Sequence, residues 1–254
     1  SSSNQITGYT VSSWKEDSSF EPYPCFIDRN GDVKPYILIG KYMISSSSAA
    51  NSVNASKVSL KPSAGLSLCR AKGTGYFPYD WQCQKLLQDL MSCKKQTINF
   101  NTGVTIADYM GIAHLDQGHW VYGINKGAND EILFAYNHED YVATDSGGAS
   151  SGTTGYHALN VNFPTTSDQE VMKLSYDTSH PFVNYPVATT SNSSYNTYYC
   201  DGYWYSSGNR PVRSNVGYSS ASCGLFYCAV NVAWTYTYGV RLCYRRSADP
   251  EAAA

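Results

Sequence analysis

Hydrophobic residues recur at helical spacing in one stretch of this 254-residue chain. The apolar positions of that stretch follow an i, i+3, i+4, i+7, i+8 pattern, and they are Cys83, Leu86, Leu87, Leu90 and Met91. Such spacing places side chains on one face of an α-helix, so it predicts an amphipathic helix with Cys83 facing the core. Either Pro78 or Asp80 suits the helix start, while Lys94 and Lys95 complement the negative end of the helix dipole.

The other hydrophobic segments are short and predict β-strands separated by long loops. Residues 36–44 form a continuous apolar and β-branched run, which predicts a buried strand. Downstream of the helix, the strand candidates are residues 112–124, 131–136, 158–163 and 171–174. Residues 45–63 and 145–155 are rich in small and polar side chains and indicate loops, the first with room for a short helix.

The chain divides into an arm, one domain and a tail. Residues 1–24 combine isolated aromatics with Pro22 and Pro24, which favours an extended arm that packs on the domain or on a neighbouring subunit. Residues 25–246 contain no internal repeat and no break in composition, so we expect a single α+β domain. Residues 247–254 are typical of a solvated tail.

Composition excludes several classes of partner. Charged residues make up only 15% of the chain, and Ser, Asn, Thr and 23 tyrosines supply polarity instead. A net charge of −2 provides no basic surface for a nucleic acid, so we expect no nucleic-acid partner. No apolar run approaches the length that a bilayer requires, so we expect no membrane insertion.

Two short motifs carry potential metal ligands, but their spacing favours structural roles. The segment from Asp28 to Asp32 alternates oxygen ligands as a calcium loop does, yet its glycine is misplaced and no closing Glu follows, which favours a hairpin turn. His114 and His119, with Asp116 between them, could hold zinc, but an i, i+5 spacing aligns them on neither a helix nor a strand. We expect no metal site and no cofactor.

No arrangement typical of a hydrolase or of a phosphate-binding loop stands out. The chain lacks a Ser-His-Asp order, a phosphate-binding glycine loop and a paired carboxylate motif. Asp177, His180 and Asp201 are isolated along the sequence, which favours a solvated or locally hydrogen-bonded role for each. We therefore predict a protein without catalytic activity.

Eight cysteines are spread widely along the chain, at positions 25, 69, 83, 93, 200, 223, 228 and 243. We interpret most as buried thiols, with one or two disulfides if the protein is secreted. Cys223 and Cys228 are separated by four residues, and two nearby thiols can bind a soft metal such as copper or provide a redox-active nucleophile. The alternative is a pair of small side chains in or beside a strand, which the lack of His or Arg neighbours favours.

The stretch from Arg213 to Arg241 has the composition of a binding surface. It interleaves small apolar residues with Tyr, Ser, Asn and Thr and carries almost no charge. Tyrosine provides a large amphipathic contact area with few rotatable bonds, and Ser and Asn add adaptable hydrogen bonds. The stretch therefore predicts side chains that are displayed to a ligand.

Several motifs occur in one order: residues 36–42, the predicted helix from Tyr79 to Leu90, Gly224-Leu-Phe-Tyr227 and Gly239-Val-Arg-Leu-Cys243. Together they resemble the C-type lectin fold in its formylglycine-generating-enzyme-like branch, and more closely the variable proteins of diversity-generating retroelements. Thr197 to Trp204 is similar to the segment that precedes the variable region in those proteins. Over residues 25–246, the resemblance implies a C-type lectin fold with short antiparallel sheets, one or two helices and long loops.

The resemblance also implies a variable segment at residues 214–238. In that family, adenines of the coding repeat are replaced, so Asn codons of the AAC type change to codons for residues such as Tyr, Ser, Thr, Asp and Cys. Residues 214–238 contain no Lys, Glu, Gln or Met, which AAC cannot yield, and only Trp234 lies outside the accessible set.

The implied ligand-binding residues are Tyr218, Ser219, Ser220, Ser222, Tyr227, Asn231, Trp234, Tyr236 and Tyr238. Tyr203 and Tyr205 are rim candidates. The implied scaffold positions between the displayed residues are Gly217, Gly224, Leu225, Phe226, Gly239, Arg241 and Leu242.

Two alternatives use the same fold. Formylglycine-generating enzymes resemble this chain in their two C-terminal cysteines with four residues between them, which implies copper-dependent oxidation by Cys223 and Cys228. The basic residues expected around such a pair are absent, and cysteine is itself a product of AAC diversification. Calcium-dependent lectins of the broader fold carry Glu-Pro-Asn, Gln-Pro-Asp or Trp-Asn-Asp motifs, and this chain has none of them.

For partners, the resemblance implies a protein or glycan ligand on a cell surface. It places the protein at a virion tail tip, as a phage receptor-binding protein, or on a bacterial surface or in secreted form, as an adhesin. Some relatives in that family are trimeric, so a homotrimer is one expectation and a monomer the other.

Overall fold

A computed structural model of the protein describes residues 21–50, 57–95, 110–113, 115, 117–166, 169–191, 201–214, 224 and 226–245. The described helices are α1 (Pro62–Arg70) and α2 (Trp81–Lys95). The described strands are β1 (Ile37–Met43), β2 (Tyr76–Pro78), β3 (His119–Lys126), β4 (Glu131–Ala135), β5 (Tyr156–Asn162), β6 (Gln169–Asp177), β7 (His180–Thr190), β8 (Gly202–Tyr205), β9 (Arg210–Ser214), β10 (Cys228–Val230) and β11 (Arg241–Arg245). Short 3-10 turns cover Pro24–Phe26 and His138–Asp140.

The described strands form two sheets. A three-stranded sheet has the order β1-β11-β2, and an eight-stranded sheet has the order β5-β4-β3-β9-β10-β8-β6-β7. Neighbouring strands run antiparallel, except that β10 and β8 run parallel. The chain is thus a mixed α+β structure with mostly antiparallel sheets, as its sequence predicts.

Helix α2 lies where the apolar spacing predicts it, and the carboxylate of Asp80 caps its start. Asp80 Oδ1 accepts a hydrogen bond of 2.9 Å from the backbone N–H of Cys83, which satisfies one of the free donors of the first turn. Cys83, Leu87 and Met91 are buried in the main core between the helix and the large sheet. The opposite side of the helix is also covered, since Lys85 is buried and pairs with Asp89 at 2.6 Å.

A buried arginine joins the small sheet to the rest of the fold. Arg241 donates from Nη1 to the backbone oxygens of Gly40 and Lys41 at 2.7 and 2.6 Å, and from Nη2 to the oxygen of Ala113 at 2.6 Å. Its side chain is 1% exposed, and burial lowers its pKa. Arg241 is therefore a scaffold residue, as the family resemblance implies.

Glycine at position 239 is required by close packing. A Cβ atom there would lie 2.2 Å from the sulfur of Met43 and 3.1 Å from the oxygen of Gly118. Phe226, another implied scaffold residue, is buried in the main core, and Leu242 packs at the edge of a second core. Gly217 and Leu225 lie outside the described residues.

The structure corrects several boundaries. Residues 36–44 do form a strand, but β1 is an edge strand on which Leu38 is 55% exposed, so the prediction of a buried strand was wrong. Helix α1 begins at Pro62, in the last two residues of the loop assigned to residues 45–63, and extends to Arg70, and strand β3 starts only at His119 rather than at residue 112. Strands β4, β5 and β6 lie at the three later strand candidates, and residues 145–155 contain no helix or strand.

The turn predicted at Asp28 is present. The N–H of Gly31 donates to the oxygen of Asp28 at 3.0 Å, and a β-bridge joins Ile27 to Val33. Asp28 Oδ1 accepts from the N–H groups of Asn30 and Asp32, which is the turn chemistry of an aspartate and not calcium ligation. The N-terminal residues 1–20 of the predicted arm and residues 246–254 lie outside the described part of the chain.

A second hairpin contains two of the isolated polar residues. Asp177 and His180 pair across the β6–β7 turn, and Asp177 Oδ1 accepts from the N–H of Ser179 at 2.7 Å. His180 Nδ1 lies 2.9 Å from the hydroxyl of Tyr136. Both residues are therefore locally hydrogen-bonded.

Candidate ligand-binding face

Side chains alternate across the central strands β3, β9, β10 and β8, and the strand register assigns them to two faces. The residues aligned towards the main core are Val121, Val212, Cys228 and Tyr203. The residues aligned on the opposite side, called the outer face below, are Trp120, Arg213, Ala229 and Trp204. Trp204 and Arg213 keep part of their surface exposed. The outer face is therefore the side of the sheet on which a ligand could contact aromatic and charged groups.

A column of three rings and one guanidinium runs along the outer face. Trp120 meets Tyr238 edge to face with ring centroids 4.9 Å apart. The guanidinium carbon of Arg213 lies 4.6 Å from the ring centroid of Tyr238 and 5.4 Å from that of Tyr227. Arg213 Nη2 also donates a hydrogen bond to the hydroxyl of Tyr227. Stacking and cation–π attraction both stabilise this order of side chains.

Backbone contacts fix the column to the fold. The indole N–H of Trp120 donates to the backbone oxygen of Leu60 at 2.7 Å, and Tyr238 exchanges two backbone hydrogen bonds with the same residue. Trp120 is 1% exposed, while Tyr238 is half-buried. One end of the column is thus anchored in a core, and the guanidinium lies nearer the surface.

The connection between β10 and β11 adds a buried indole and an exposed phenol. The indole N–H of Trp234 donates to Asn209 Oδ1 at 2.9 Å, and the same oxygen accepts from the N–H of Gly148 at 3.1 Å. A Cβ atom on Gly148 would lie 2.3 Å from the Trp234 ring, so the glycine permits this close approach. Tyr236, two residues further on, is 57% exposed and is the tyrosine of this connection that a ligand can reach most easily.

The structure places only part of the implied ligand-binding set on an accessible surface. Tyr218, Ser219, Ser220 and Ser222 lie outside the described residues. Tyr236 is exposed, and Tyr238 and Asn231 are half-buried. Asn231 Oδ1 is buried and has no hydrogen-bond partner among the described residues.

Tyr227 and Trp234 were predicted to be displayed to a ligand, but the structure buries both side chains. Their exposed fractions are 5% and 6%, because Tyr227 packs with Ala229 beside Arg213 while Trp234 fills the space above Gly148. Both side chains therefore support the fold directly. Any ligand contact that they make in this conformation is small, although the hydroxyl of Tyr227 accepts a hydrogen bond from the half-buried guanidinium of Arg213.

The rim assignment also needs correction. Tyr203 is fully buried in the main core, and the hydroxyl of Tyr205 donates to Asp130 Oδ1 at 2.9 Å on that same side of the sheet. Trp204, between them, points to the outer face because Ala229 aligns with it. Sequence reasoning missed Trp204 and Arg213. The face on which each side chain lies depends on the register of two paired strands. The local sequence does not reveal that register in a run of aromatic residues.

Asp201 and Gly224 secure the chain just before strand β10. Asp201 is fully buried, and its Oδ2 accepts from the N–H of Phe226 at 2.7 Å. A Cβ atom on Gly224 would lie 1.8 Å from Asp201 Oδ1, so only glycine fits this contact. Burial raises the pKa of Asp201 well above its usual range, and the charge of Glu170 acts in the same direction. The sequence left Asp201 either solvated or locally hydrogen-bonded, and the structure shows the second role.

The candidate metal and redox residues are buried or lie outside the described residues. His114, Asp116 and Cys223 are in the second group. His119 is 1% exposed, its Nδ1 lies 2.9 Å from the oxygen of Gln117, and its Nε2 has no hydrogen-bond partner in the described part of the chain. Cys228 is buried on the core side of β10, and burial raises its pKa, which disfavours the thiolate that metal binding requires. Among the described residues, no three His, Cys, Asp or Glu side chains are grouped to hold a metal ion.

The predicted burial of thiols is met at most described positions. Cys25, Cys69, Cys83 and Cys243 are buried and free, as is Cys228, whereas Cys93 is exposed.

Neither described helix has the length and apolar character that a membrane span requires. Comparison of the chain with protein-family models gives no match, and comparison with curated proteins also gives none.

Proposed function

We propose that this protein is a non-catalytic binding protein that presents the outer face to a protein or glycan ligand on a cell surface. The observation that carries the proposal is the partly exposed guanidinium of Arg213 against the ring of Tyr238, with Trp204 on the same face and Tyr236 exposed in the connection to β11. Tryptophan, tyrosine and arginine are the residues that contribute most to binding energy in protein interfaces. The sheet beneath them is held by ladder hydrogen bonds, so little ordering is required on binding.

The fold supports the proposal by separating scaffold from surface. Arg241, Gly239 and Gly224 are each fixed by buried contacts, whereas Tyr236 can be replaced without disturbing a packed neighbour. This division suits the C-type lectin scaffold of a diversity-generating retroelement variable protein, which we propose for this chain. Residues 215–223 lie outside the described residues and, in the sequence, connect β9 to β10, two strands of the sheet that carries the outer face. The proposed ligand contacts there are Tyr218, Ser219, Ser220 and Ser222.

The same proposal gives the setting in which the protein acts. A variable lectin-fold protein of this kind serves as a phage receptor-binding protein at the tail tip or as an adhesin on a bacterial surface. A homotrimer suits the first role because several outer faces would then engage one cell at once. The chromosomal neighbourhood tests this setting: a reverse-transcriptase gene and a near-copy of the segment for residues 214–238, differing only at adenines, are expected.

Three single variants test the binding proposal directly. Trp204→Ala removes aromatic surface from the outer face and Tyr236→Ala removes it from the connection between β10 and β11, and we expect each to weaken binding to intact target cells by about tenfold or more. Leu38→Ala is the matched control, because Leu38 is 55% exposed on the edge strand of the small sheet. Equal cell binding by all three variants and the parent protein would show that the outer face is not the binding surface.

A further inference from the structure

We propose that the outer face binds its ligand through a carboxylate, which pairs with the guanidinium of Arg213. This inference rests on the proposed binding function and adds the chemical class of the group that the ligand contributes. Arg213 carries a positive charge but belongs to none of the ion pairs formed by the described residues. The hydrogen-bond partner of its guanidinium is the neutral hydroxyl of Tyr227.

Leaving this cation uncompensated is costly in its environment. Arg213 is half-buried between the rings of Tyr227 and Tyr238, and its Nε is buried with no hydrogen-bond partner among the residues that the structure describes. The rings attract the charge through their π faces but leave N–H donors unfilled. An anion that approaches from solvent supplies the missing charge and accepts hydrogen bonds from the terminal Nη groups, whereas Nε lies out of its reach. Such pairing is stronger at a partly desolvated site than in water, because the local dielectric constant is lower.

The geometry favours a carboxylate over a diffuse acidic surface. The strand partners of Arg213 on the outer face, Trp120 and Ala229, are uncharged, so a ligand meets its charge at one point of that face. Arg213 is also held in place, because the two rings and the Tyr227 hydroxyl restrict its rotation. A planar guanidinium with fixed orientation matches a planar carboxylate. Trp204, aligned with Ala229 next to Arg213, adds an aromatic surface for the rest of the ligand.

Small, chemically defined probes test the proposal and do not require the natural ligand. Glucuronate and N-acetylaspartate amide carry the carboxylate on a sugar and on a peptide unit, and glucose and N-acetylasparagine amide are their uncharged matches. The side-chain Nε–Hε signal of Arg213, followed by NMR during titration, reports binding at this site. We expect at least one carboxylate probe to shift the signal saturably, with its uncharged match weaker by about tenfold or more. Response to glucuronate alone would identify an acidic glycan as the source, and response to the aspartate probe alone an acidic peptide.

Charge variants complete the test. Arg213→Gln removes the charge and keeps a polar side chain, and we expect probe affinity measured by calorimetry to fall by about tenfold or more. Arg213→Lys keeps the charge without the planar fork, so we expect an intermediate loss; it also serves if the Gln variant does not fold. Arg210→Gln is the matched control, since Arg210 lies on the same strand and donates to the backbone oxygen of Ser207.

The outcomes separate this inference from the binding proposal. Equal binding of charged and uncharged probes, or unchanged carboxylate binding in Arg213→Gln, would overturn the carboxylate assignment. Absence of any probe binding would overturn it as well. If Trp204→Ala abolishes cell binding while Arg213→Gln does not, the outer face binds a ligand through other groups and only the inference fails. If Arg213 binds carboxylates but no outer-face variant affects cell binding, only the proposed function fails.

Discussion

Arg213 and Tyr238 lie 25 positions apart in the sequence, yet the guanidinium carbon of one is 4.6 Å from the ring centroid of the other. This contact joins the end of β9 to the connection that precedes β11. It fixes a positive charge among aromatic rings on a sheet whose opposite face is a packed core. A chain of low overall charge thus holds one cation in a fixed position on the outer face.

Replacing Trp234 should destabilise the protein, whereas replacing its exposed neighbour should not. Trp234→Ala removes a buried ring and its hydrogen bond to Asn209, so we expect a loss of about 3–5 kcal/mol in the free energy of unfolding. Tyr236→Ala should stay within about 0.5 kcal/mol of the parent protein, because its ring is largely solvated. Urea denaturation of both variants measures the difference. Similar small losses would show that Trp234 is not part of the packed structure.

Arg241 should be more important for stability than an exposed arginine. Arg241→Ala leaves three backbone oxygens, those of Gly40, Lys41 and Ala113, without their buried donor. We expect a loss of about 3–5 kcal/mol in the free energy of unfolding. Arg210→Ala is the control and should cost less than about 1 kcal/mol, since its hydrogen bond is exposed. An equal effect of the two changes would contradict the scaffold role of Arg241.

The buried imidazole of His119 should make the protein less stable in mild acid. Burial lowers its pKa from 6.5 to about 4, and the charges of Arg241, Lys57 and Arg213 act in the same direction. The folded state therefore binds fewer protons than the unfolded state between these values, so this contribution is present above pH 6.5 and is lost as the pH falls towards 4. We expect about 3 kcal/mol of pH-dependent stability from this group.

His119→Gln should reduce the loss in the free energy of unfolding that occurs as the pH falls over this range. Chemical denaturation at a series of pH values measures it for the parent and the variant. His138 must be kept unchanged in both, because burial also lowers its pKa, to about 3, and its contribution is lost over an overlapping range. Identical pH dependence in the two proteins would show that His119 is not buried as a neutral group.

A small cavity between α2 and the large sheet should contain an ordered water molecule. Its volume is about 20 Å³, and its lining residues include Ser214 and Asn184, whose Oγ and Oδ1 atoms have no hydrogen-bond partner among the described residues. A cavity of this size and polarity holds one water. We expect Ser214→Ala to destabilise the fold by about 1 kcal/mol because the water loses a partner. Stabilisation by the same change, measured by thermal unfolding, would indicate a dry cavity with an unsatisfied hydroxyl.

Elements with a strong local signal could be predicted from the sequence. Helix α2 follows from the spacing of Cys83, Leu87 and Met91, and the turn at Asp28 follows from its Asn-Gly pair. Helix α1 was missed because its sequence, Pro-Ser-Ala-Gly-Leu-Ser-Leu-Cys-Arg, is rich in residues that favour loops. The packing of Gly65 against Tyr122 and Val240 stabilises it instead, and these residues are distant in sequence.

The candidate site depends on long-range register and was predicted only in part. Residues 213–241 do contribute Arg213 and Tyr238 to the outer face, and Tyr236 is exposed in the connection to β11. Burial of Trp234 depends on a glycine 86 positions earlier in the chain, which no local pattern reveals. The orientation of Trp204 depends on its alignment with Ala229, since a shift of one residue would exchange the two faces.

Tyrosine footprinting on intact target cells reports which surface of the protein contacts the cell. Tyr236 and Tyr36 are 57% and 42% exposed, the first in the connection between β10 and β11 and the second next to the edge strand of the small sheet. Iodination of free and cell-bound protein, read by mass spectrometry, compares the two rings in one sample. We expect cell binding to protect Tyr236 several-fold and to leave the labelling of Tyr36 unchanged. Protection of Tyr36 with unchanged labelling of Tyr236 would contradict it.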